Sequence, residues 1–111
     1  MKKVFIINSD SLGAGDQDLG QKLMGAFLRK LWASDTKPEA IICYNSGVKL
    51  TAKGSPVLDA MDGLYSAGVD ILACGTCVEF YNLKNDIQAG RISNMEEIVS
   101  ILATAESVVT V

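Results

Sequence analysis

The chain contains 111 residues, of which 49% are hydrophobic and 21% charged, and its formal net charge is −3. This length and apolar fraction predict one folded domain over residues 1–111 and argue against a disordered chain. The ten Lys and Arg residues are scattered, so no basic stripe indicates nucleic-acid binding. The chain has no His, which excludes Ser-His and Cys-His dyads and imidazole metal ligands.

The apolar run over 4–7 is too short for a signal peptide or a membrane helix, because polar residues follow at once. We therefore expect a cytoplasmic protein with no membrane partner. Three Cys residues cannot complete a four-ligand zinc site without a carboxylate or a second subunit, and we expect no metal and no cofactor. In a reducing compartment a C-x-x-C motif is more often catalytic, redox-active or metal-binding than a structural disulfide.

Strand and helix signals alternate in the first half of the chain. Residues 3–8 predict a buried strand and residues 9–15 a Ser- and Gly-rich turn. A helix is expected over 16–33, because apolar residues recur every four positions. Its buried face is expected to contain Leu19, Leu23, Phe27 and Leu31, with Met24 and Leu28 beside them. A second buried strand follows over 40–44, and then a polar loop over 45–54.

The next unit repeats this alternation. Ser55 and Pro56 predict the start of a helix, with Ser as a cap and Pro in the first turn. The buried face of that helix is expected to contain Val57, Leu58, Met61, Leu64 and Tyr65. A third strand over 69–73 runs into Cys74, and a short helix is expected over about 76–83.

The last unit completes the predicted fold. Arg91 and Ile92 indicate a brief fourth strand, and residues 93–96 match a capping box with Ser93 as its first residue. The helix that this box opens is expected to bury Ile98, Val99 and Leu102. Residues 107–111 predict a final strand. Strands separated by helices imply a three-layer α/β/α sandwich with a mostly parallel sheet of four or five strands.

Three loops are expected at the carboxyl edge of this sheet, where parallel sheets bind ligands: 9–16, 45–54 and 74–77. They supply the candidate substrate-binding residues Gly13, Gly15, Asn45, Lys49, Gly75 and Thr76. Gly13 and Gly15 match neither the dinucleotide fingerprint nor a P-loop. We interpret their turn as a pocket wall that caps the first helix and whose N–H groups could hold a small anion or a persulfide.

Cys74 and Cys77 of the C-G-T-C motif are the candidate catalytic residues. A thiolate beside a helix N-terminus is expected to have a lowered pKa, and the spacing lets the two thiols form a disulfide or share a transferred sulfur. Two other interpretations are packing of small apolar side chains and a metal site shared between subunits. Cys43 lies within a buried strand and is expected to be a core residue. Lys49 is expected either to stabilise a thiolate or attract a partner, or simply to be solvated.

With these motifs the chain resembles the DsrE/DsrF-like superfamily, and most closely the DsrE-like domain of YedF-type proteins, which are associated with selenium metabolism. The resemblance covers essentially the whole chain. It is carried by the S-D-S-L-G-A-G-D turn and by the segments over 41–50 and 71–77. YedF-type proteins usually carry a TusA-like domain with a C-P-x-P motif, which has no match here. We therefore expect a stand-alone or excised DsrE-like domain.

The resemblance implies a sulfur relay, or a selenium relay, in which Cys74 accepts sulfane sulfur as a persulfide and Cys77 assists its release. It also implies a homo-oligomer and protein partners that donate and accept sulfur, such as a cysteine desulfurase or a TusA-like domain. Two alternatives remain open from the residues alone. The chain could be a dithiol/disulfide redox protein, or a non-catalytic module for small-ligand binding or assembly.

Overall fold

The computed structural model describes residues 2–111, and Met1, the first residue of the predicted domain, lies outside this range. Within it, five parallel strands form one sheet in the order β4-β3-β2-β1-β5. The strands are β1 (Lys3–Ile7), β2 (Ala40–Cys43), β3 (Asp70–Cys74), β4 (Arg91–Ser93) and β5 (Ser107–Thr110). The helices are α1 (Gln17–Ala33), α2 (Leu58–Ser66), α3 (Gly75–Phe80) and α4 (Met95–Thr104), and a 3-10 helix over Asn45–Thr51 precedes α2.

Alternate residues of the strands point to two hydrophobic clusters, one on each face of the sheet. One face packs Ile41 and Ile71 against α1 and α2, and the other packs Ile42 and Leu72 against Ile98 of α4. Crossovers between parallel strands are right-handed. The connections from β1 to β2 and from β2 to β3 therefore place α1 and α2 on one face of the sheet. The connection from β4 to β5 runs across the sheet in the opposite direction and places α4 on the other face. The predicted three-layer α/β/α sandwich is confirmed.

The predicted buried face of α1 is wrong at its N-terminal end. Leu19 and Leu23 are exposed, and Phe27 is only half-buried. The face that packs against the core contains Gly20, Met24, Gly25, Leu28 and Leu31. This face differs from the predicted one because it includes Gly20, where α1 lies close to the preceding loop. A Cβ at Gly20 would overlap the Ser11 hydroxyl, so only glycine fits this close approach. The prediction counted only large apolar residues, so it missed Gly20 and Gly25.

The segment predicted as a polar loop over 45–54 is mainly the 3-10 helix. It buries Gly47, Val48, Leu50 and Thr51. The next helix, α2, begins at Leu58 rather than at Ser55, whose hydroxyl accepts a hydrogen bond from the Val57 N–H at 3.2 Å. Val57, Met61 and Leu64 are buried as predicted, whereas Tyr65 is exposed.

The cap of α4 is also displaced by one residue from the predicted capping box. Asn94, not Ser93, is the N-cap, and its side-chain oxygen accepts a hydrogen bond from the Glu97 N–H at 2.8 Å. The Ser93 hydroxyl instead donates to the Glu97 carboxylate. Ile98 is buried as predicted, but Val99 is exposed.

Candidate functional site

The carboxyl edge of the sheet brings the loops after β1 and β2 together, as the parallel topology predicts. The Tyr44 N–H donates to the Ile7 carbonyl at 3.2 Å, and the Asp10 N–H donates to the Ser46 hydroxyl at 3.1 Å. Gly47 lies so close to the end of β1 that a Cβ at this position would overlap the Ile7 carbonyl oxygen. The start of the 3-10 helix is therefore held against the sheet next to the C-x-x-C motif.

Cys74 and Cys77 lie at this edge but in different environments. Cys74 is the last residue of β3, on the face covered by α4, and is 1% exposed. Cys77 lies in the first turn of α3 and is half-buried. Both thiols are free, and Cys77 packs against the hydrophobic cluster that contains Cys74. The accessible member of the pair is thus the second cysteine.

Asn45 supplies the polar contact to the accessible thiol. Its backbone N–H donates to Cys77 Sγ at 3.0 Å. The residue has a φ of 52°, a left-handed conformation that Asn tolerates better than most residues. The Tyr81 hydroxyl donates to Asn45 Oδ1 at 3.0 Å, so the side chain that follows Cys77 by one helical turn holds the residue that contacts its sulfur.

The pKa of Cys77 differs from the lowered value expected for a thiol beside a helix end. Burial raises it, and the neighbouring Cys74 raises it further, whereas the Asn45 N–H lowers it. The expectation is wrong because desolvation and a second thiol outweigh one N–H donor, since both disfavour the thiolate. Loss of the Asn45 contact would leave even less thiolate at neutral pH.

Lys49 lies near the site without contacting a thiol. Its Nζ lies 4.4 Å from the centroid of the Tyr81 ring, which is a cation–π arrangement. Lys49 is therefore connected to Cys77 through Tyr81 and Asn45.

Gly75 and Thr76 are neighbours in α3 but line different cavities. Thr76 is exposed and shares a cavity of about 290 Å³ with Asn45 and Cys77. Gly75 lines a different cavity, of about 390 Å³, together with Ile92. A Cβ at Gly75 would lie 2.8 Å from the Ser93 carbonyl oxygen, so this glycine permits the close packing of α3 on β4.

Gly13 and Gly15 do not join the thiol site. Both are exposed, with φ values of 81° and 147°, and within residues 2–111 no hydrogen bond links either of them to Cys77 or to the 3-10 helix. The turn leads to Asp16, whose carboxylate accepts the Leu19 N–H at 2.9 Å and caps α1. The turn thus prepares the start of α1, which was one of its two expected roles.

Phe80 and Tyr81 also belong to the site, although they were not among the candidate residues predicted from the sequence. Phe80 is 81% exposed, and both rings line the cavity that contains Cys77. The rings meet edge to face at 5.1 Å between centroids. The signal that could have found Tyr81 is its spacing of four residues from Cys77, which places the two side chains on one helix face.

Cys43 takes no part in this site. It is fully buried among the core residues beneath α1 and α2, and burial raises its pKa to about 12. The prediction of a core cysteine is confirmed. Among residues 2–111 there is no group of three or more Cys, Asp and Glu side chains placed to hold a metal ion. None of the helices in this range has the length and apolar composition needed to cross a membrane.

Solved structures with a similar fold are known, although no protein-family model and no curated protein sequence matches the chain. The YchN protein of E. coli aligns over 100% of both chains with a TM-score of 0.67 and 16% sequence identity. The chain shares the YchN fold. YchN has the DsrE/DsrF-like fold, so the fold that the sequence resemblance implied is confirmed.

Two further structures support the same conclusion. The protein of unknown function MTH1491 from Methanobacterium thermoautotrophicum has a TM-score of 0.65 and 19% identity, over 96% of this chain and 97% of its own. The conserved protein of unknown function BT1422 from Bacteroides thetaiotaomicron has a TM-score of 0.66 and 17% identity, over 99% and 95%. These identities establish a common fold and transfer no residue role.

Proposed function

We propose that this protein relays sulfane sulfur, carried as a cysteine persulfide on the Cys74–Cys77 pair. The observation that supports this most directly is the pair itself. Two free, neighbouring thiols lie at the carboxyl edge of a parallel sheet, and one of them is accessible beside a backbone N–H at 3.0 Å. The N–H group is suited to hold the negative charge of a thiolate or a persulfide.

The exposure of the two thiols favours an order of events opposite to the one expected from the sequence. A donor cannot reach Cys74 without displacing its neighbours, because that side chain is 1% exposed. Cys77 borders an open cavity. Cys77 is therefore the receiving thiol in this proposal, and Cys74 is the thiol that assists release.

The proposed chemistry uses only thiol exchange. The Cys77 thiolate attacks the terminal sulfur of a donor persulfide, the sulfur–sulfur bond of the donor breaks, and the donor leaves as a thiolate. An acceptor thiolate then attacks the terminal sulfur on Cys77 in the same way. Without an acceptor, the Cys74 thiolate attacks Cys77 Sγ, which forms the Cys74–Cys77 disulfide and expels HS⁻. A dithiol reductant restores the pair.

The partners follow from the resemblance and belong to the same proposal. A cysteine desulfurase is the proposed donor, a TusA-like domain the proposed acceptor or donor, and a homo-oligomer the proposed assembly. Selenium, as in the YedF-type proteins that the sequence resembles, would use the same exchange steps. Phe80, which is mostly exposed beside Cys77, is available for contact with such a partner.

Mass spectrometry tests the proposal. The reduced protein is incubated with a cysteine desulfurase and cysteine, and an adduct of about 32 Da, one sulfur atom, is expected on the wild type. Cys77→Ser should lose the adduct, Cys74→Ala should retain it for longer, and Cys43→Ala serves as a control that should behave like the wild type.

Other outcomes of this experiment contradict parts of the proposal. An adduct that survives in Cys77→Ser and disappears in Cys74→Ala would restore the order expected from the sequence. A loss of about 2 Da with no preceding adduct would identify a dithiol/disulfide redox couple instead. No mass change with any donor would contradict sulfur relay altogether.

A further inference from the structure

Two cavities border the Tyr81 ring next to Cys77. One is the cavity of about 290 Å³ that contains Cys77 and Phe80. The other is a cavity of about 370 Å³ whose lining includes Lys49 and Lys53. Tyr81 lines both cavities, so they are neighbours on the surface. We name them together the Tyr81 groove.

The Tyr81 groove has a thiol at one end and two positive charges at the other. Neither Lys49 nor Lys53 belongs to any ion pair among residues 2–111, although the protein as a whole carries a net charge of −3. Two acidic residues are neighbours of these lysines: Asp10 lines a small cavity together with Lys49, and the Asp86 carbonyl accepts a hydrogen bond from the Lys53 N–H at 2.7 Å. The two lysines are thus available to an anionic ligand, and the Tyr81 and Phe80 rings lie between them and Cys77 along the groove.

Building on the sulfur relay proposed above, we propose that the Tyr81 groove binds a low-molecular-mass persulfide that carries a carboxylate. Its carboxylate lies against Lys49 and Lys53, its carbon chain lies along the Tyr81 and Phe80 rings, and its terminal sulfur faces Cys77. A positively charged wall attracts such an anion and raises its local concentration at the thiol. Charge selects the ligand, because a neutral persulfide makes the ring contacts but not the ion pairs.

The transfer step balances without an oxidant or a reductant. The Cys77 thiolate attacks the terminal sulfur of R–S–SH, a new sulfur–sulfur bond forms at Cys77 Sγ, and the bond within the donor breaks. R–S⁻ leaves with the electron pair of the broken bond. Its carboxylate is still held by the two lysines at that moment.

A pair of alkylating agents tests the groove without any sulfur transfer. Cys77 is treated with iodoacetate, which carries a carboxylate, or with neutral iodoacetamide, and the ratio of the two rate constants is measured by peptide mass mapping. Both reagents attack the same thiolate, so any change in the pKa of Cys77 cancels in the ratio. Lys49→Gln and Lys53→Gln should each lower the ratio by about threefold.

The control for this measurement is Lys84→Gln. Lys84 borders the separate cavity next to Gly75, and its loss removes the same charge from the protein without changing the Tyr81 groove. It should leave the ratio unchanged. A double variant of Lys49 and Lys53 with the wild-type ratio would overturn the proposed anion site.

A second measurement separates this proposal from the sulfur relay. The persulfide of N-acetylcysteine, which is an anion, and that of its neutral amide are compared as donors. The wild type should load Cys77 about fivefold faster from the anion, and the double lysine variant should lose this preference. Equal loading from both donors, with normal loading by a cysteine desulfurase, overturns the groove proposal alone. No loading from any donor overturns the relay, while the alkylation ratio still tests the groove.

Discussion

At the scale of single residues, the reactivity of Cys77 depends on how firmly Asn45 is held. Its N–H reaches Cys77 Sγ only while the residue keeps its left-handed conformation, with a φ of 52°. The Tyr81 hydroxyl donates a hydrogen bond to Asn45 Oδ1 and so restrains the Asn45 side chain. Tyr81 is thus a positioning residue in this site, and Asn45 supplies the atom that contacts the sulfur.

Replacement of Tyr81 by Phe should therefore raise the pKa of Cys77. The substitution keeps the ring beneath Lys49 but removes the hydrogen bond to Asn45, and it weakens the one contact that lowers this pKa. Alkylation of Cys77 by iodoacetamide at pH 7.5 should slow by about threefold, which corresponds to half a pKa unit. The rates of variant and wild type should converge at high pH, where Cys77 is ionised in both proteins.

The matched control for this substitution is Tyr65→Phe, because Tyr65 is an exposed tyrosine of α2. It should leave the pH profile of alkylation unchanged. A Tyr81→Phe profile that coincides with that of the wild type would show that Asn45 keeps its position unaided.

A methyl group at position 47 should destabilise the fold and disturb the thiol site together. A Cβ there overlaps the Ile7 carbonyl oxygen, which is backbone and cannot turn aside as a side chain can. We expect Gly47→Ala to lower the free energy of unfolding by about 1–3 kcal/mol, as overpacking does. Urea denaturation followed by circular dichroism measures this change.

Gly25→Ala is the control for that effect, because a Cβ at Gly25 meets only the flexible end of Arg29 and makes an ordinary contact with Val57. Within α1 this change should stabilise the protein by up to about 1 kcal/mol, since Ala favours the helix over Gly. Equal unfolding free energies for Gly47→Ala and the wild type would contradict the close contact at the end of β1.

At the scale of elements, α1 shows what periodicity can and cannot predict. The repeat of apolar residues located the helix to within one residue of its observed bounds. It did not locate the buried face, because that face includes Gly20, where the helix approaches the preceding loop too closely for a Cβ. A hydrophobic pattern is built on large side chains, whereas the close approach of a helix to its neighbours depends on small residues.

The face of α1 can be tested with two equivalent truncations. Leu28 is fully buried, so Leu28→Ala should lower the free energy of unfolding by about 2–5 kcal/mol. Leu23 is 43% exposed, and Leu23→Ala should cost less than about 1 kcal/mol. Both are measured by urea denaturation. If Leu23→Ala lost more unfolding free energy than Leu28→Ala, the buried face predicted from the leucine spacing would be correct instead.

The 3-10 helix over Asn45–Thr51 shows a different limit. Its polar and glycine residues predicted a loop, and such short helices have weak sequence signals. What fixes it is the contact of Gly47 with β1, together with the burial of Val48 and Leu50 in the core. Its position beside Cys77 follows from strand order, so the location of Asn45 and Lys49 at the edge was predictable, but their contacts were not.

At the scale of the whole molecule, the parallel sheet and its three layers were the most predictable features. Alternating elements gave a parallel sheet, and a parallel sheet places the C-x-x-C motif at the carboxyl edge with the loop after β2. The sequence did not show which thiol would be accessible. That difference arises because Cys74 lies on the sheet face covered by α4, whereas Cys77 lies in the first turn of α3 beside an open cavity. The packing of α4 is set by residues distant in the chain.

The same α4 is joined to the sheet by an ionic cluster that should control the acid stability of the whole fold. Arg91 of β4 donates to both oxygens of Asp70 on β3 at 2.9 Å, and to both oxygens of Glu97 on α4 at 2.8 and 2.9 Å. Hydrogen bonds from Arg91 and Ser93 lower the pKa of Glu97 from 4.5 to about 2. Three elements that are separate in sequence thus meet at one guanidinium.

The sign of the pH effect follows from this lowered pKa. The unfolded chain takes up a proton at Glu97 near pH 4.5 and the folded chain only near pH 2, so the contribution of Glu97 to stability is complete above pH 4.5 and declines as the pH falls toward 2. Glu97→Gln should be less stable than the wild type at pH 7, and the gap should narrow between pH 4.5 and pH 2. Urea denaturation at several pH values measures this gap.

Glu96→Gln is the matched control, because Glu96 is an exposed residue of the same helical turn and takes part in none of the ion pairs found within residues 2–111. It removes one negative charge without breaking the cluster, so its stability should follow the wild-type pH dependence throughout. A gap for Glu97→Gln that stays constant down to pH 2 would mean that Arg91 stabilises the fold through Asp70 alone. In that case α4 would be held on its face of the sheet by Ile98 and its apolar neighbours, without help from the cluster.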